Sequence, residues 1–490
     1  MNYQMTKYIL GIVLLIASLG MLFPFIMSCF EGDWQVIQAF LTCMLLTAVS
    51  GIFLARKKPQ RKSIYARDGF LIVGLTWIII SLFGSLPYFF SQSIPAYIDA
   101  LFESVSGFTT TGSSILVDIE ALPRSVLLWR SITHWIGGMG VLVFITAIVS
   151  FAGGNSMYLM RAEAAAPSTG KMAPKIKKNT TIIYSIYFGL TALAFVLLMF
   201  GGIGWFDSLT TAFSLVATGG FHVRNASIGF YNSAYVEWIS VFFMIVSSIN
   251  FHLLYLLLIR KFSTVFKNEE FRAFSLILLA GFLISVFSLR FSSTAEISEI
   301  IRASAFQVAS FMSTSGFISA DYGQWPQILM IMLLVIAFVG GCSGSTAGGA
   351  KVMRMLYLTK SVKKEVRKML HPNAVEIVKI DGKPVEDENI NGVFVFFSVY
   401  FCMIVLSLLL IAINGFDLQT TVSSVLISAS NTGIGFGDIG PGGSFAAFSP
   451  LSKLVFIFDM LCGRLSIFPI LFVFIPSMWA KRKNSKRLEI

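Results

Sequence analysis

Charge is scarce in this chain: Asp, Glu, Lys and Arg fill 13% of the 490 positions against 56% apolar residues, and the stretch Tyr8–Cys29 contains none. A water-soluble globule has too little interior to hide that much apolar surface, so soluble enzyme and nucleic-acid-binding classes are excluded. Cysteine is sparse as well. Cys29, Cys43, Cys342, Cys402 and Cys462 are odd in number, unpatterned and set in apolar sequence, so they read as buried thiols rather than a disulfide framework or metal knuckle. Four scattered histidines make no ligand set, and neither a P-loop nor a Gly-rich βαβ fingerprint occurs. Nucleotide control would therefore need another protein, and no organic cofactor is expected. A small-residue cleavage site is also missing near the start, which makes residues 8–29 a retained helix rather than a signal peptide.

What the chain does contain is one apolar run of about twenty residues after another, each able to cross a ~30 Å hydrocarbon layer as a helix. With no water to satisfy a spanning backbone, the fold is an all-α polytopic membrane protein. The net charge of +12 is distributed over alternate loops, among them 56–67, 161–178, 260–272, 351–368 and 481–487. That is the positive-inside pattern, and it puts both termini in the cytoplasm. The expected elements are a hairpin (8–29, 36–55) followed by four units of long helix, short helix, polar string and long helix: 69–92, 97–108, 126–151; 181–202, 207–217, 235–259; 273–290, 296–312, 326–349; and 392–413, 417–429, 451–479. Twelve residues make only ~18 Å of helix, so each short helix must enter and leave on the outer side.

The strings themselves recur: Thr109-Thr110-Thr111-Gly112-Ser113, Val216-Ala217-Thr218-Gly219-Gly220, Ser313-Thr314-Ser315-Gly316-Phe317 and Ser430-Asn431-Thr432-Gly433-Ile434. None contains Asp or Glu. Gly permits a backbone that turns carbonyl oxygens toward an axis, and Thr and Ser add uncharged hydroxyl oxygens, a donor set suited to a dehydrated monovalent cation. Four short helices with their negative C-terminal ends aimed at one point would attract a cation. Asp99, Asp207, Glu296, Glu299 and Asp417 complement the opposite ends, and Asp438 lies just beyond the fourth string. Four such strings imply a pseudo-fourfold pore.

Taken together, these residues resemble the Trk/Ktr/HKT superfamily of cation transporters, and within it the bacterial TrkH/TrkG branch, which has an extra N-terminal hairpin. The resemblance spans essentially the whole chain. It implies one subunit folded around one pore, assembly as a homodimer, a cytosolic ring of nucleotide-binding TrkA-like subunits, and a K⁺-selective filter with one glycine per repeat. By motif match those glycines are Gly112, Gly219, Gly316 and Gly433, preceded by Thr110, Thr111, Ala217, Thr218, Thr314, Ser315, Asn431 and Thr432, with K⁺ at the level of Thr111, Thr218, Ser315 and Thr432. Relatives that prefer Na⁺ have Ser at the first glycine, so Gly112 favours K⁺. Ile434 stands where the fourth string often has Pro.

The third unit carries Gly340-Gly341-Cys342-Ser343-Gly344-Ser345-Thr346-Ala347-Gly348-Gly349-Ala350-Lys351. Five glycines, each costing a helix about 1 kcal/mol, break it. Irregular backbone at membrane depth must be buried in protein or line a cavity, which makes the loop a gate candidate, and the resemblance implies a loop of this kind obstructing the pore. Arg464 lies inside the last apolar run and needs polar company, since an isolated Arg there costs roughly 2.5–3.5 kcal/mol. The loop and Asp459 are its candidate partners. The family's matching Gly-Arg-Leu motif places an Arg in the barrier, with Glu where this chain has Ser466. His134, Gly137, Gly138, Ser247, Ser248, Asn250 and His252 are weaker candidates for lining a cytoplasmic cavity.

The expected function is inward conduction of K⁺, with Rb⁺ as a second permeant ion, in a bacterial inner membrane, by the membrane subunit of an uptake system. The division is 1–68 hairpin, 69–179, 180–271, 272–390 with the gate loop and a basic cytosolic loop, and 391–490. A Na⁺- or H⁺-coupled carrier is the alternative, disfavoured by same-sense repeats and few midplane carboxylates. An enzyme is not expected, because no nucleophile, base or metal set is found.

Overall fold

In the computed structural model, residues 2–59, 66–152, 173–373 and 377–479 are described, leaving aside the side chains of 66–67, 141–152 and 173–180. Parts of the basic loops, including Arg61, Lys62, Arg161, Lys171 and the segment 481–487, lie outside the described residues. The protein is an all-α polytopic membrane protein. Among the described residues six helices are long and apolar enough to cross a bilayer: Tyr3–Glu31, Trp34–Ala55, Asp68–Phe90, Thr181–Phe200, Glu269–Ser292 and Asp387–Ala412. Their outer faces show what the solvent is. Leu283, Phe287, Phe291, Phe401 and Leu409 are more than half exposed, a burden of apolar surface that only lipid accommodates.

Two features set the N-terminal hairpin. Asp33 caps the second helix through the N–H groups of Gln35 and Val36, and Gly11 faces Gly51 so closely that a Cβ on Gly11 would lie 2.6 Å from the Gly51 carbonyl oxygen. Absent side chains thus let the two backbones touch. Gly20 brings the hairpin against Ile132 and Ile136 of the helix Arg124–Ala152.

Four short helices follow at the expected places, Tyr97–Phe108, Trp205–Ala217, Ile297–Met312 and Leu418–Ser430. At 12, 13, 16 and 13 residues they reach only ~18–24 Å. Asp417 caps the last through Thr420 N–H. Asp99 instead pairs with buried Lys453 at 2.7 Å, and Asp207 with Arg224 at 3.0 Å, so two of the acids expected to serve the helix dipole also join neighbouring segments.

The long helices after the strings depart from expectation in three units. Residues 235–259 form two helices, Ala234–Ser248 and Phe251–Leu258, bent by 106°. The segment 326–349 is helical only from Gln327 to Val339. Residues 451–479 break into Pro450–Arg464, Phe468–Phe474 and Pro476–Trp479. The reasons are local. Asn250 caps the second half of its pair, the five glycines end the second segment, and Ser466 and Ile467 take left-handed φ of 56° and 70° just before Pro469. In the segment expected to form the cytosolic loop, the helix Val352–Leu370 precedes a two-stranded antiparallel hairpin, Lys379–Ile380 with Lys383–Pro384. Its turn, Asp381-Gly382, has φ of 50° and 73°, the left-handed pair that a two-residue hairpin requires.

Candidate functional site

Each short helix runs into its string by the same hydrogen bonds. Thr110 N–H returns to Gly107 O and Thr111 N–H to Ser106 O; Thr218 and Gly219 bond to Leu215 and Ser214, Thr314 and Ser315 to Phe311 and Ser310, Asn431 and Thr432 to Ser428 and Ile427. The first residue of each pair is left-handed, with φ of 51° at Thr110, 55° at Thr218, 54° at Thr314 and 56° at Asn431, and φ is positive again two residues on, at Gly112, Gly220, Gly316 and Gly433. In each string the left-handed residue and the one after it both turn their N–H groups back to the helix end. Here those groups are spent on the helix end, which leaves the carbonyls facing the neighbouring string.

This pattern corrects the register of the second string. Gly220, not Gly219, matches Gly112, Gly316 and Gly433; Gly219 lies level with Thr111, Ser315 and Thr432; Thr218 lies level with Thr110; and Ala217 lies level with Thr109. The Thr-Gly dipeptide misled the sequence reading, because it aligned Thr218 with Thr111. A hydroxyl pair also marks the true register: Thr109 with Thr111 at 2.7 Å, Ser313 with Ser315 at 2.7 Å, Ser430 with Thr432 at 2.9 Å. Ala217 and Gly219 occupy the same two places in the second string and have no hydroxyls.

In cyclic order the strings close on themselves. A Cβ on Gly112 would lie 2.1 Å from Gly219 O, on Gly220 2.1 Å from Ser315 O, on Gly316 2.2 Å from Thr432 O, and on Gly433 2.2 Å from Thr111 O. Only glycine permits both the left-handed φ and so near a carbonyl. The four glycines line one pocket, and no carboxylate falls within the ring. Its chemistry is that of a cage of uncharged oxygen dipoles, a donor set able to replace the hydration of a monovalent cation. Asp438 is exposed outside it. Near the start of the second short helix Tyr231 donates to Asp207 at 3.0 Å, and burial with that carboxylate pushes its phenol up.

Beneath the ring lies the loop Gly340–Lys351. Its ends meet, with Ala350 N–H bonded to Phe338 O and Lys351 N–H to Val339 O at 2.9 Å each. It docks on the break in the second unit: Cys342 N–H donates to Ser248 O, Thr346 N–H to Ser247 O, and Phe251 N–H to Gly344 O. It also touches the ring's supports. Thr346 Oγ1 reaches Val216 O at 3.1 Å, Gly348 N–H reaches Thr314 Oγ1 at 2.6 Å, and Gly349 N–H reaches Ser430 O at 2.8 Å. Glu270, 2% exposed, accepts Ser343 N–H at 2.6 Å. Sequence reasoning missed Glu270; its signal was a second acidic residue at the mouth of an apolar helix.

Arg464 donates to Thr346 O at 2.7 Å and to Gly137 O at 3.2 Å. The loop is thus one partner of Arg464, whereas Asp459 accepts from Ser407 at 2.8 Å. Ser466 accepts from Arg354 at 2.8 Å.

The weaker candidates sort differently from expectation. His134 is fully buried behind the strings, with Nδ1 2.7 Å from Gly107 O and Nε2 accepting Phe221 N–H at 3.1 Å. Both ring nitrogens are engaged with backbone, and accepting at Nε2 places its proton on Nδ1. Gly137 and Gly138 provide close packing against the ends of the first two short helices. Ser247 and Ser248 serve the loop through their carbonyls, and His252 is exposed. Among the described residues all five cysteines are free thiols, but Cys29 and Cys402 are exposed rather than buried. Glu103 and Arg130, 2.8 Å apart and fully buried, were also missed, although an Arg inside an apolar run was the same signal that marked Arg464.

An all-α membrane protein whose core is a ring of uncharged oxygens belongs among transporters of cations, and a family model described as TrkH, cation transport protein, matches residues 35–483. The chain belongs to the TrkH family. It is 36% identical over 487 residues to the Trk system potassium uptake protein TrkH of Halomonas elongata, covering 98% of this chain and 100% of that protein. It is 34% identical over 483 residues to the protein of the same name from Salmonella typhimurium, at the same coverage. The crystal structure of the potassium transporter TrkH from Vibrio parahaemolyticus superposes with a TM-score of 0.87 at 31% identity, over 98% of this chain and 100% of that one. The members named here are transport proteins, and this chain is not an enzyme.

Proposed function

We propose that this chain is the ion-translocating subunit of a K⁺ uptake system in a bacterial inner membrane, conducting K⁺, and Rb⁺ in its place, inward. The observation that carries this reading is the closed ring in which each string's glycine accommodates the next string's carbonyl. The names of the relatives above support K⁺ as the ion. On this reading the filter consists of Thr110-Thr111-Gly112, Thr218-Gly219-Gly220, Thr314-Ser315-Gly316 and Asn431-Thr432-Gly433, within units spanning about 69–179, 180–271, 272–390 and 391–490 after the hairpin 1–68. The loop 340–349 with Arg464 is the gate beneath it. A TrkA-like cytosolic nucleotide-binding partner biases that gate, docking on the basic inner surface around the helix Val352–Leu370, and the subunit works as a homodimer with both termini inside.

One observation favours a second reading, a Na⁺- or H⁺-coupled carrier. Asp459 is buried in the helix Pro450–Arg464 with Ser407 on Oδ1 and, among the described residues, no hydrogen-bond partner for Oδ2, and intramembrane acids commonly mark ion coupling.

The test is K⁺ against Na⁺ flux into proteoliposomes containing only this chain, with Gly112→Ser and with residues 343–349 shortened. Passive K⁺-preferring flux that loses preference in the first variant and rises in the second supports filter and gate. Flux that requires an imposed Na⁺ or H⁺ gradient, and disappears in Asp459→Asn, establishes the coupled carrier instead.

A further inference from the structure

Nine residues before each left-handed glycine stands a polar residue on its short helix: Glu103, Thr211, Gln307 and Ser424. Two residues after the glycine stand Ser114, His222, Ile318 and Gly435. In the second string Thr211 Oγ1 meets His222 Nε2 at 3.1 Å. In the first, the Glu103 carboxylate accepts from the Ser114 hydroxyl at 3.0 and 3.1 Å and from Ile115 N–H at 3.1 Å. The Gln307 amide has no hydrogen-bond partner among the described residues, and Ser424 bonds within its own helix. Among the described residues this pair of positions is bonded only in the first two strings, and only in the first by a charge; the third and fourth strings are held instead by the Ser310 hydroxyl to Phe317 O and by Phe436 N–H to the Ser423 hydroxyl.

Arg130 joins those two. Its Nε donates to Glu103 Oε1 at 2.8 Å, Nη1 to His222 O at 3.1 Å and Nη2 to Ser114 Oγ at 3.3 Å. The guanidinium lies 4.1 Å from the centroid of Phe221. At the level of the strings the other junctions are bridged by Gly229 N–H to Ile318 O, by the stacked rings of Phe311 and Phe436, and by Phe445 N–H to Ser114 O, while the ion pairs Lys453–Asp99 and Arg302–Glu237 join neighbouring units away from the strings. A buried ion pair adds little stability over an apolar pair of the same shape. What it adds is fixed geometry, since the planar fork of Arg holds several acceptors at set angles.

We propose that the Glu103–Arg130 pair is a specificity-determining brace, fixing the separation of the first and second strings and thereby the preference for K⁺ over Na⁺. Both are positioning residues that act through Ser114 and His222. The inference rests on the filter reading above. A cage that admits K⁺ must not contract onto Na⁺, and the exits of the first two strings are held apart by this pair.

The experiment is uptake of radioactive Rb⁺ into proteoliposomes, with K⁺ or Na⁺ as competitor, for the parent, Glu103→Gln, Arg130→Lys and Ser114→Ala. Glu103→Gln and Arg130→Lys keep Rb⁺ flux and lose about tenfold of the K⁺-over-Na⁺ preference, the effect expected when a charge-assisted hydrogen bond is removed. Ser114→Ala, which removes one hydroxyl and leaves the pair, shifts the ratio the same way by about twofold to threefold. Conducting pair variants with the parental ratio overturn the brace. Where those two do not fold, Ser114→Ala decides, and a parental ratio there overturns it equally. A parent with no K⁺ preference removes the filter reading and the brace with it, whereas a selective parent with equally selective variants removes the brace alone.

Discussion

Arg464 on the last long helix and Thr346 in the third-unit loop are joined by a 2.7 Å hydrogen bond from guanidinium to carbonyl oxygen. A second bond, from Arg464 to Gly137 O at 3.2 Å, anchors the same side chain to the helix after the first string. The loop is therefore held beneath the ring from two sides, by backbone contacts to Ser247 and Ser248 and by this arginine. Hydrogen bonds to charged groups contribute about 1.5–3 kcal/mol each. Arg464→Ala is expected to shift the loop toward a displaced state and raise basal K⁺ flux on the order of tenfold. Flux at or below the parental level in a folded Arg464→Ala protein removes the barrier role of this residue.

The other anchor is Glu270, whose carboxylate holds Ser343 N–H while the preceding Glu269 pairs with Lys360 and accepts Asp381 N–H at 3.2 Å. The loop, the helix Val352–Leu370 and the hairpin Lys379–Pro384 thus meet on two consecutive residues. Gln in place of Glu270 still offers an acceptor oxygen, whereas Ala leaves the buried Ser343 N–H unpaired at a cost of about 1–3 kcal/mol. Basal flux should stay near parental in Glu270→Gln and rise severalfold in Glu270→Ala. Equal behaviour of the two variants would show that the carboxylate anchors nothing.

Much of this architecture was legible because membrane constraints are severe. Apolar runs and basic loops gave the spans, the short helices were recognised as too short to cross, and the glycines of 340–349 announced irregular backbone. Two kinds of information were not legible. The register of the second string depends on which residues bond back to the helix end, and Thr218-Gly219 looks like Thr111-Gly112 until that backbone is seen. The breaks at Ile249 and Ser466 are set by local residues, but what the broken ends meet is distant in sequence: the docked loop in one case and Arg354 in the other. The Glu103–Arg130 pair belongs to a third kind, since a single charge in an apolar run signals that a partner exists without saying which.

Close packing of backbone on backbone predicts stability changes of opposite sign. A Cβ on Gly137 would lie 1.9 Å from Phe108 O, and one on Gly463 would lie 2.0 Å from Ala429 O, at corresponding places in the first and fourth units. Overpacking of this kind costs about 1–3 kcal/mol, so Gly137→Ala and Gly463→Ala should each lower the melting temperature in detergent by several degrees. Gly189, with nothing within 4 Å of its Cβ position, sits in a helix where Ala is favoured by about 0.8–1 kcal/mol. Gly189→Ala should match or exceed the parent, and a loss as large as that of Gly137→Ala would contradict the packing assignment.

The corrected register yields a test that separates two adjacent glycines. Gly220 has φ of +83° and faces Ser315 O, a backbone atom that cannot be removed. A Cβ on Gly219 instead meets the His134 ring at 2.4 Å, a side chain that can be cut back. Gly220→Ala should abolish K⁺ preference by itself and remain defective when combined with His134→Ala. Gly219→Ala should also impair uptake, but its defect should be relieved in part by His134→Ala, because the nearest clash is with that ring. The readout is the ratio of K⁺ to Na⁺ uptake across the four single and double variants. Relief of Gly220→Ala by the histidine change, with none for Gly219→Ala, would restore Gly219 to the position of Gly112.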